Sequence, residues 1–282
     1  MPEFVTRDGC SLAYRDTGGD GVPLVMLTGW SQSAAMYDRL IEHLDPQLRI
    51  VTYDHRNHGE SGRIDGGARI AALASDLREL LDYLGIERAH LAGHSMGCSV
   101  LWSFIDQWGT GRIVSLTLID QPSVCALVPW LSQEDLARVG AIMDFAGAAA
   151  FAQALLGPDS YQARRDFLTS MLTKDISAED DAFMMAENLK LEMPFGARLL
   201  VDHVTQDWRD VLPRIDVPTL VTGGEVSHVV VSSQEWIAQQ IPGARLHVFT
   251  RADGGAHFPF FEQPKQFAAV LSEFIDRSSS HS

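Results

Sequence analysis

The sequence predicts an α/β protein with a mostly parallel sheet of eight strands and helices on both faces. Three observations predict this class: six short apolar runs, helical periodicity between them, and an alternating hairpin at the amino end. Buried parallel strands appear as continuous apolar runs, and their alternation with helices indicates βαβ units. With 282 residues, 46% of them hydrophobic, the chain can bury a large core.

The individual elements follow from these patterns. Residues 2–16 alternate around a turn at residues 7–9, which predicts an antiparallel hairpin at a sheet edge. Residues 69–84 place leucines and an isoleucine at three- and four-residue spacing, with charges on the opposite face, which predicts a crossover helix. The apolar runs predict buried strands at 24–27, 49–53, 89–92, 114–119, 218–222 and 245–249.

The strand pattern is interrupted by a helical segment. Residues 123–211 are rich in Ala, Met, Phe and Leu at helical spacing, so we expect a helical cap inserted into a core made of residues 1–122 and 212–282. In open α/β folds the ligand crevice lies at the carboxyl ends of the strands, where such an insertion would sit.

Charge and cysteine content restrict the partners. The formal net charge of −15, with no Lys- or Arg-rich run, argues against nucleic acid and anionic membrane surfaces. No signal peptide and no membrane span are predicted. The three cysteines, Cys10, Cys98 and Cys125, match neither a disulfide framework nor a zinc pattern, and we expect a cytoplasmic protein.

The strongest chemical signal is Gly93-His94-Ser95-Met96-Gly97, which follows a predicted strand and precedes an apolar helical segment. In this context GxSxG forms a strained turn that exposes the serine hydroxyl. A Cβ at either glycine would collide with the neighbouring strand or helix. Ser95 is therefore a candidate catalytic residue.

A serine of this type needs a base and an acid. His257 lies on a glycine-rich loop after the last predicted strand and is the candidate base. The turn after the strand at 218–222 lacks the usual aspartate, which leaves two carboxylates: Asp120, at the tip of the strand 114–119, and Glu225. We favour Asp120, because an apolar strand gives no other reason to end in a charge there.

Two backbone N–H groups complete the predicted site. Those of Trp30, in the turn Leu27-Thr28-Gly29-Trp30, and of Met96 would form a two-donor pocket for a developing oxyanion, with the indole as a wall. Trp30 also admits a simpler interpretation as a packed aromatic. His94 and Gln121 are further candidate substrate-binding residues.

These motifs together (LTGW, DHRNHGESG, GHSMG, IDQP and AHFPFFEQP) resemble the α/β-hydrolase fold superfamily over nearly the whole chain. The turn LTGWSQ, the acid in LIDQP, HFP after the histidine and a stretch late in the cap resemble the cofactor-independent 3-hydroxy-4(1H)-quinolone 2,4-dioxygenases. In that family a second histidine tends to follow the elbow serine and a tryptophan the acid. Met96 and Gln121 stand there instead, and the apolar Met96 would suit a substrate with a longer alkyl chain.

The resemblance implies oxygenation without metal or other cofactor. His257, supported by Asp120, would deprotonate the 3-hydroxyl of a 2-alkyl-3-hydroxy-4(1H)-quinolone, and the anion would react with O2 to give an N-acylanthranilate and carbon monoxide. Ser95 would orient the substrate. The expected partners are thus a small apolar aromatic substrate and O2.

Two other functions use the same residues. As a carboxylic ester hydrolase, Ser95 would attack an acyl carbonyl with His257 as base and Asp120 as its support. As a binding protein on a hydrolase scaffold, the chain would hold a ligand without turning it over.

Overall fold

The computed structural model describes residues 1–127 and 129–279. Eight strands form one sheet in the order β1-β2-β4-β3-β5-β6-β9-β10. The hairpin β1–β2 is antiparallel and β2 pairs antiparallel with β4, whereas every other neighbouring pair is parallel. This arrangement confirms the predicted fold class. The strands are β1 (Glu3–Val5), β2 (Ser11–Asp16), β3 (Leu24–Leu27), β4 (Ile50–Tyr53), β5 (Ala89–His94), β6 (Ile113–Ile119), β7 (Ala126–Leu127), β8 (Met143–Asp144), β9 (Thr219–Gly224) and β10 (Arg245–Phe249).

Helices cover both faces of the sheet. On one face α2 packs on α3, and on the other α1 packs on α11. The predicted crossover helix at 69–84 is α2, whose leucine face is buried and whose Arg78 and Asp82 are exposed, whereas Asp76 is buried and paired with Arg56. The helices are α1 (Asp38–Ile41), α2 (Ile70–Tyr83), α3 (Met96–Trp108), α4 (Gln133–Val139), α5 (Phe145–Leu156), α6 (Ser160–Ser170), α7 (Ala178–Leu189), α8 (Phe195–Val204), α9 (Val231–Gln240), α10 (Pro259–Glu262) and α11 (Pro264–Ser279).

One long helical insertion separates β6 from β9 in the chain. Between the end of β6 and the start of β9 the chain forms α4–α8 and the two-stranded ladder of β7 and β8. Helices α5 and α8 pack together, and α8 also contacts α2 of the core. All five helices fall within residues 123–211, and the division of the chain into core and cap at residues 122 and 212 stays a prediction.

The carboxyl ends of the central strands point to one edge of the sheet. β5, at the centre, ends at His94 and leads directly into α3, while β6 beside it ends one residue before Asp120. Parallel strands bring such ends together, so residues far apart in the chain become neighbours at this edge. No helix in the described ranges is long and apolar enough to span a bilayer.

Candidate active site

Ser95 occupies a strained turn between β5 and α3. Its φ of 53° and ψ of −123° lie outside the regions that non-glycine residues normally adopt. A Cβ on Gly93 would lie 2.6 Å from the Gly97 carbonyl carbon, and one on Gly97 would lie 2.6 Å from the Leu27 carbonyl oxygen. The two flanking glycines are therefore required by backbone packing, as the sequence pattern predicts.

Asp120 and His257 form a buried pair. The imidazole Nδ1 lies 2.6 Å from Asp120 Oδ2, and both side chains are almost fully buried. A carboxylate at Nδ1 keeps the proton on that nitrogen, so the lone pair of Nε2 is left to accept a proton. No hydrogen bond joins Ser95 Oγ to His257 in the structure. His257 Nε2 has no hydrogen-bond partner among the described residues, so it can accept a proton from a substrate hydroxyl or from the serine.

Two donors besides His257 contact the Asp120 carboxylate, and the other candidate acid, Glu225, makes a different contact. Ser227 Oγ donates to Asp120 Oδ2 at 2.5 Å, and the Gly224 N–H donates to Oδ1 at 3.3 Å. The alternative acid, Glu225, is exposed, and its carboxylate accepts from the backbone N–H of Arg251 at 2.9 Å. Asp120 rather than Glu225 is therefore the carboxylate that contacts the imidazole.

Burial sets the protonation of this pair. It raises the pKa of Asp120 to about 7, against the lowering effect of the Ser227 hydrogen bond, because the low-dielectric surroundings disfavour the charged carboxylate. Burial also lowers the pKa of His257, since the imidazolium is disfavoured for the same reason. The imidazole is uncharged at neutral pH, and it can act as a base in the molecules whose Asp120 is ionised, a fraction that grows as the pH rises through about 7.

Two backbone N–H groups lie beside the serine without a protein acceptor. Neither Trp30 nor Met96 donates its backbone N–H to any described residue. The two turns touch, because a Cβ on Gly29 would lie 2.9 Å from Ser95 Cβ. The indole of Trp30 donates to the Gly196 carbonyl of α8 at 2.9 Å and lines the cavity next to the serine. Both donors are thus available, and the two-donor anion pocket stays a prediction.

Two predicted substrate contacts take other positions. His94 is completely buried, with Nε2 at 2.8 Å from the His257 carbonyl and Nδ1 at 3.0 Å from Gln32 Oε1, so it supports the site from behind instead of facing a substrate. The Met96 side chain packs in the hydrophobic core and does not line the cavity. The expectation that its lost polarity accommodates an alkyl chain is therefore wrong, and its backbone N–H alone is available.

A small uncharged cavity lies between Ser95 and the cap segment. Its volume is about 30 Å³, which holds roughly two water molecules. Trp30, Phe151 and Phe167 form an aromatic cluster over it, with ring centroids 4.9–6.3 Å apart. No Lys, Arg, Asp or Glu is found among the described residues that line it, which are Trp30, Gln32, Ser95, Gln121, Ile142, Met143, Phe167, Met171, Leu200, His203, Val204, His228 and His257.

Two histidines of this cavity were not predicted from the sequence. The His228 ring packs against His257 with ring centroids 4.5 Å apart and a tilt of 45°, and His203 reaches the cavity from α8. His228 lies on the turn after β9, a position that could have suggested proximity to the site, but nothing in the local sequence of His203 does. Gln121 also lines the cavity, where its amide nitrogen donates to Cys125 Sγ at 2.8 Å. Among the described residues no group of three or more His, Cys, Asp or Glu side chains has the arrangement of a metal site.

Comparison with known proteins decides the family. The family model described as the alpha/beta hydrolase fold matches residues 22–264. The chain belongs to this family. Within the family, the solved structure of an esterase (EaEST) from Exiguobacterium antarcticum superposes with a TM-score of 0.87 at 22% identity, covering 97% of this chain and 98% of its own, which confirms the fold.

Similar alpha/beta hydrolase fold proteins carry several different activities. The non-heme chloroperoxidase CPO-A1 of Kitasatospora aureofaciens is 29% identical over 289 residues, covering 98% of this chain and 100% of its own. The 2-heptyl-3-hydroxy-4-quinolone dioxygenase AqdC2 of Rhodococcus erythropolis is 25% identical over 289 residues, covering 99% and 100%. Membership of the family therefore leaves the reaction open.

Proposed function

We propose that this protein is a cofactor-independent dioxygenase that cleaves the heteroring of a 2-alkyl-3-hydroxy-4(1H)-quinolone. The observation that carries the proposal is the buried Asp120–His257 pair: His257 lines the cavity, and its Nε2 has no hydrogen-bond partner among the described residues. A neutral imidazole in that position can take the proton of the 3-hydroxyl group directly. The full-length similarity to AqdC2 supports the same assignment.

The residues then have separate roles. His257 removes the substrate proton and the Asp120 carboxylate stabilises the resulting imidazolium. The electron-rich anion reacts with O2, the peroxide formed at C2 closes on C4, and the bridged intermediate breaks into an N-acylanthranilate and carbon monoxide. The N–H groups of Trp30 and Met96 stabilise the charge that grows on the C4 oxygen. Ser95 orients the substrate by hydrogen bonding.

The cavity supports a neutral apolar substrate. None of the described residues that line it is a Lys or Arg, so a substrate with a permanent carboxylate would lose its hydration there without gaining an ion pair. The aromatic cluster over the cavity would exclude water from the substrate anion after deprotonation. Because the volume of about 30 Å³ is too small for a bicyclic ring, the cap segment has to move or its side chains rotate before a quinolone enters.

The rival function is ester hydrolysis, and the elbow geometry together with the two free N–H groups favours it as the second candidate. In that reaction Ser95 becomes acylated, with the proton of its hydroxyl passing to His257 and then to the leaving alcohol. Binding without turnover is the third candidate, and it requires that the intact dyad and elbow serve no reaction.

The variant Ser95→Ala separates these candidates. The metal-free protein is incubated in air with 3-hydroxy-2-methyl-4(1H)-quinolone while oxygen uptake and carbon monoxide release are followed. For the oxygenase we expect the variant to keep turnover within about tenfold of wild type, the value of one lost hydrogen bond. If Ser95→Ala instead lowers ester hydrolysis by about a thousandfold or more, and wild-type Ser95 carries an acyl adduct in the ester assay, the protein is a hydrolase.

A matched control lies one helical turn away. Ser99 is fully buried on α3, and its hydroxyl has no hydrogen-bond partner among the described residues, so Ser99→Ala should leave both activities unchanged. Tight binding of quinolones or esters by wild-type protein with no turnover of either would support the binding protein.

A further inference from the structure

His203 combines burial with an unused ring nitrogen. It is 6% exposed, lies on α8 and lines the cavity that contains Ser95 and His257. Its Nδ1 has no hydrogen-bond partner among the described residues, while Nε2 is turned toward Cys125 at 3.8 Å from Sγ. An unpaired buried nitrogen costs free energy, and a ligand that pairs with it removes that cost.

A chain of hydrogen bonds fixes which nitrogen carries the proton. The Gln121 amide nitrogen donates to the Pro122 carbonyl at 3.1 Å and to Cys125 Sγ at 2.8 Å, and the carbonyl excludes the flipped amide. Among the described residues His203 Nε2 is the one acceptor that contacts the Cys125 thiol, so pairing the thiol hydrogen directs it to Nε2. Nε2 then carries the lone pair, and the proton of the neutral ring is on Nδ1.

Both groups stay uncharged at neutral pH. Burial raises the pKa of the Cys125 thiol to about 12 and lowers the pKa of His203 to about 4, because both charged forms are poorly solvated there. The thiol hydrogen needed for this chain is therefore present, and the imidazole has one N–H.

We propose that His203 is a substrate-binding residue whose Nδ1–H donates a hydrogen bond to an oxygen of the bound substrate, with Cys125 and Gln121 as positioning residues that hold it in this tautomer. The inference extends beyond the reaction type, because an oxygen acceptor is present in a quinolone and in an ester. It makes recognition depend on a third donor in addition to the two N–H groups beside Ser95. It also requires a neutral donor, which fits a cavity without charged side chains.

The tautomer is tested by nitrogen NMR on protein labelled at histidine. We expect His203 to show a protonated Nδ1 and an unprotonated Nε2, the reverse of the form that free neutral histidine favours. Cys125→Ala should return the ring toward protonation at Nε2. A wild-type spectrum with the proton on Nε2 overturns the proposal, and this measurement does not depend on which reaction the protein performs.

Substrate recognition is tested with two variants of His203. Asparagine places an amide N–H near the position of Nδ1, whereas leucine has no donor. For 3-hydroxy-2-methyl-4(1H)-quinolone we expect His203→Leu to raise KM about tenfold with kcat changed much less, and His203→Asn to stay within about threefold of wild type. Equal KM values for the two variants, or an unchanged KM for the leucine variant, would contradict the proposal.

Two controls keep the outcomes separate. Thermal unfolding of each variant shows whether the change has altered folding instead of recognition. If wild-type protein does not turn over the quinolone, the same pair is compared with 4-nitrophenyl acetate, so that failure of the proposed reaction is distinguished from failure of the role of His203.

Discussion

Replacing Asp120 with asparagine tests the central pair at constant shape. Asparagine has one acceptor oxygen where the carboxylate has two, and three donors surround it: His257 Nδ1, Ser227 Oγ and the Gly224 N–H. If the amide oxygen faces His257 and Ser227, the NH2 group meets the Gly224 N–H. If the amide is flipped, the oxygen accepts from Gly224 and the NH2 donates to His257 Nδ1, with the Ser227 hydroxyl rotated to accept.

The flipped orientation opposes no donors, although the Ser227 hydroxyl hydrogen loses its acceptor, and it is therefore favoured. The other one leaves two donors opposed at a cost of about 1–3 kcal/mol, so the tautomer with the proton on Nδ1 falls to about a sixth of the molecules or fewer. Loss of the carboxylate charge weakens the stabilisation of the imidazolium by about 1–2 kcal/mol, or another 5- to 30-fold. We therefore expect Asp120→Asn to lower kcat/KM by about 100- to 1000-fold.

The assay is oxygen uptake with 3-hydroxy-2-methyl-4(1H)-quinolone, with hydrolysis of 4-nitrophenyl acetate in parallel. Stability should be unchanged or higher above pH 7, because the substitution removes a buried charge whose carboxyl pKa is raised to about 7. Glu225→Gln, which neutralises the nearby exposed carboxylate, should retain wild-type rates. An Asp120→Asn variant within threefold of wild type in both assays would refute the reasoning.

Two other predictions concern pH and backbone packing. Burial raises the pKa of Asp120 to about 7, and protonation of its carboxylate blocks the base, so kcat/KM should fall as the pH drops through about 7. Ser227→Ala removes a donor to the carboxylate and should move this fall in kcat/KM to higher pH. A fall at the wild-type pH or below it would contradict the assignment. Gly97→Ala would place a Cβ 2.6 Å from the Leu27 carbonyl oxygen and should lower the free energy of unfolding by about 2 kcal/mol or more, measured in urea. In Gly111→Ala the added Cβ would have no atom within 4 Å, so the free energy of unfolding should be nearly unchanged.

Local patterns predicted the sheet and the elbow because both depend on neighbouring residues. The apolar runs mark strands buried on two faces, and the predicted strand at 24–27 matches β3 to the residue. Gly93 and Gly97 indicate the turn because GxSxG marks a local strand–turn–helix connection, although the backbone that Gly97 approaches, at Leu27, is distant in sequence. The choice of Asp120 followed from its position at the tip of β6 and agrees with its contact to the imidazole.

The sequence by itself determined the sheet, the nucleophile elbow and the candidate base, since each is encoded in a short periodic or glycine-marked stretch. Tertiary structure alone decided the lining of the cavity, because contacts such as that of Cys125 with His203, 78 residues apart, leave no local pattern. It also placed His94 behind the site and the Met96 side chain in the core. The direction of a side chain depends on how distant elements pack, and no short stretch of sequence contains that information.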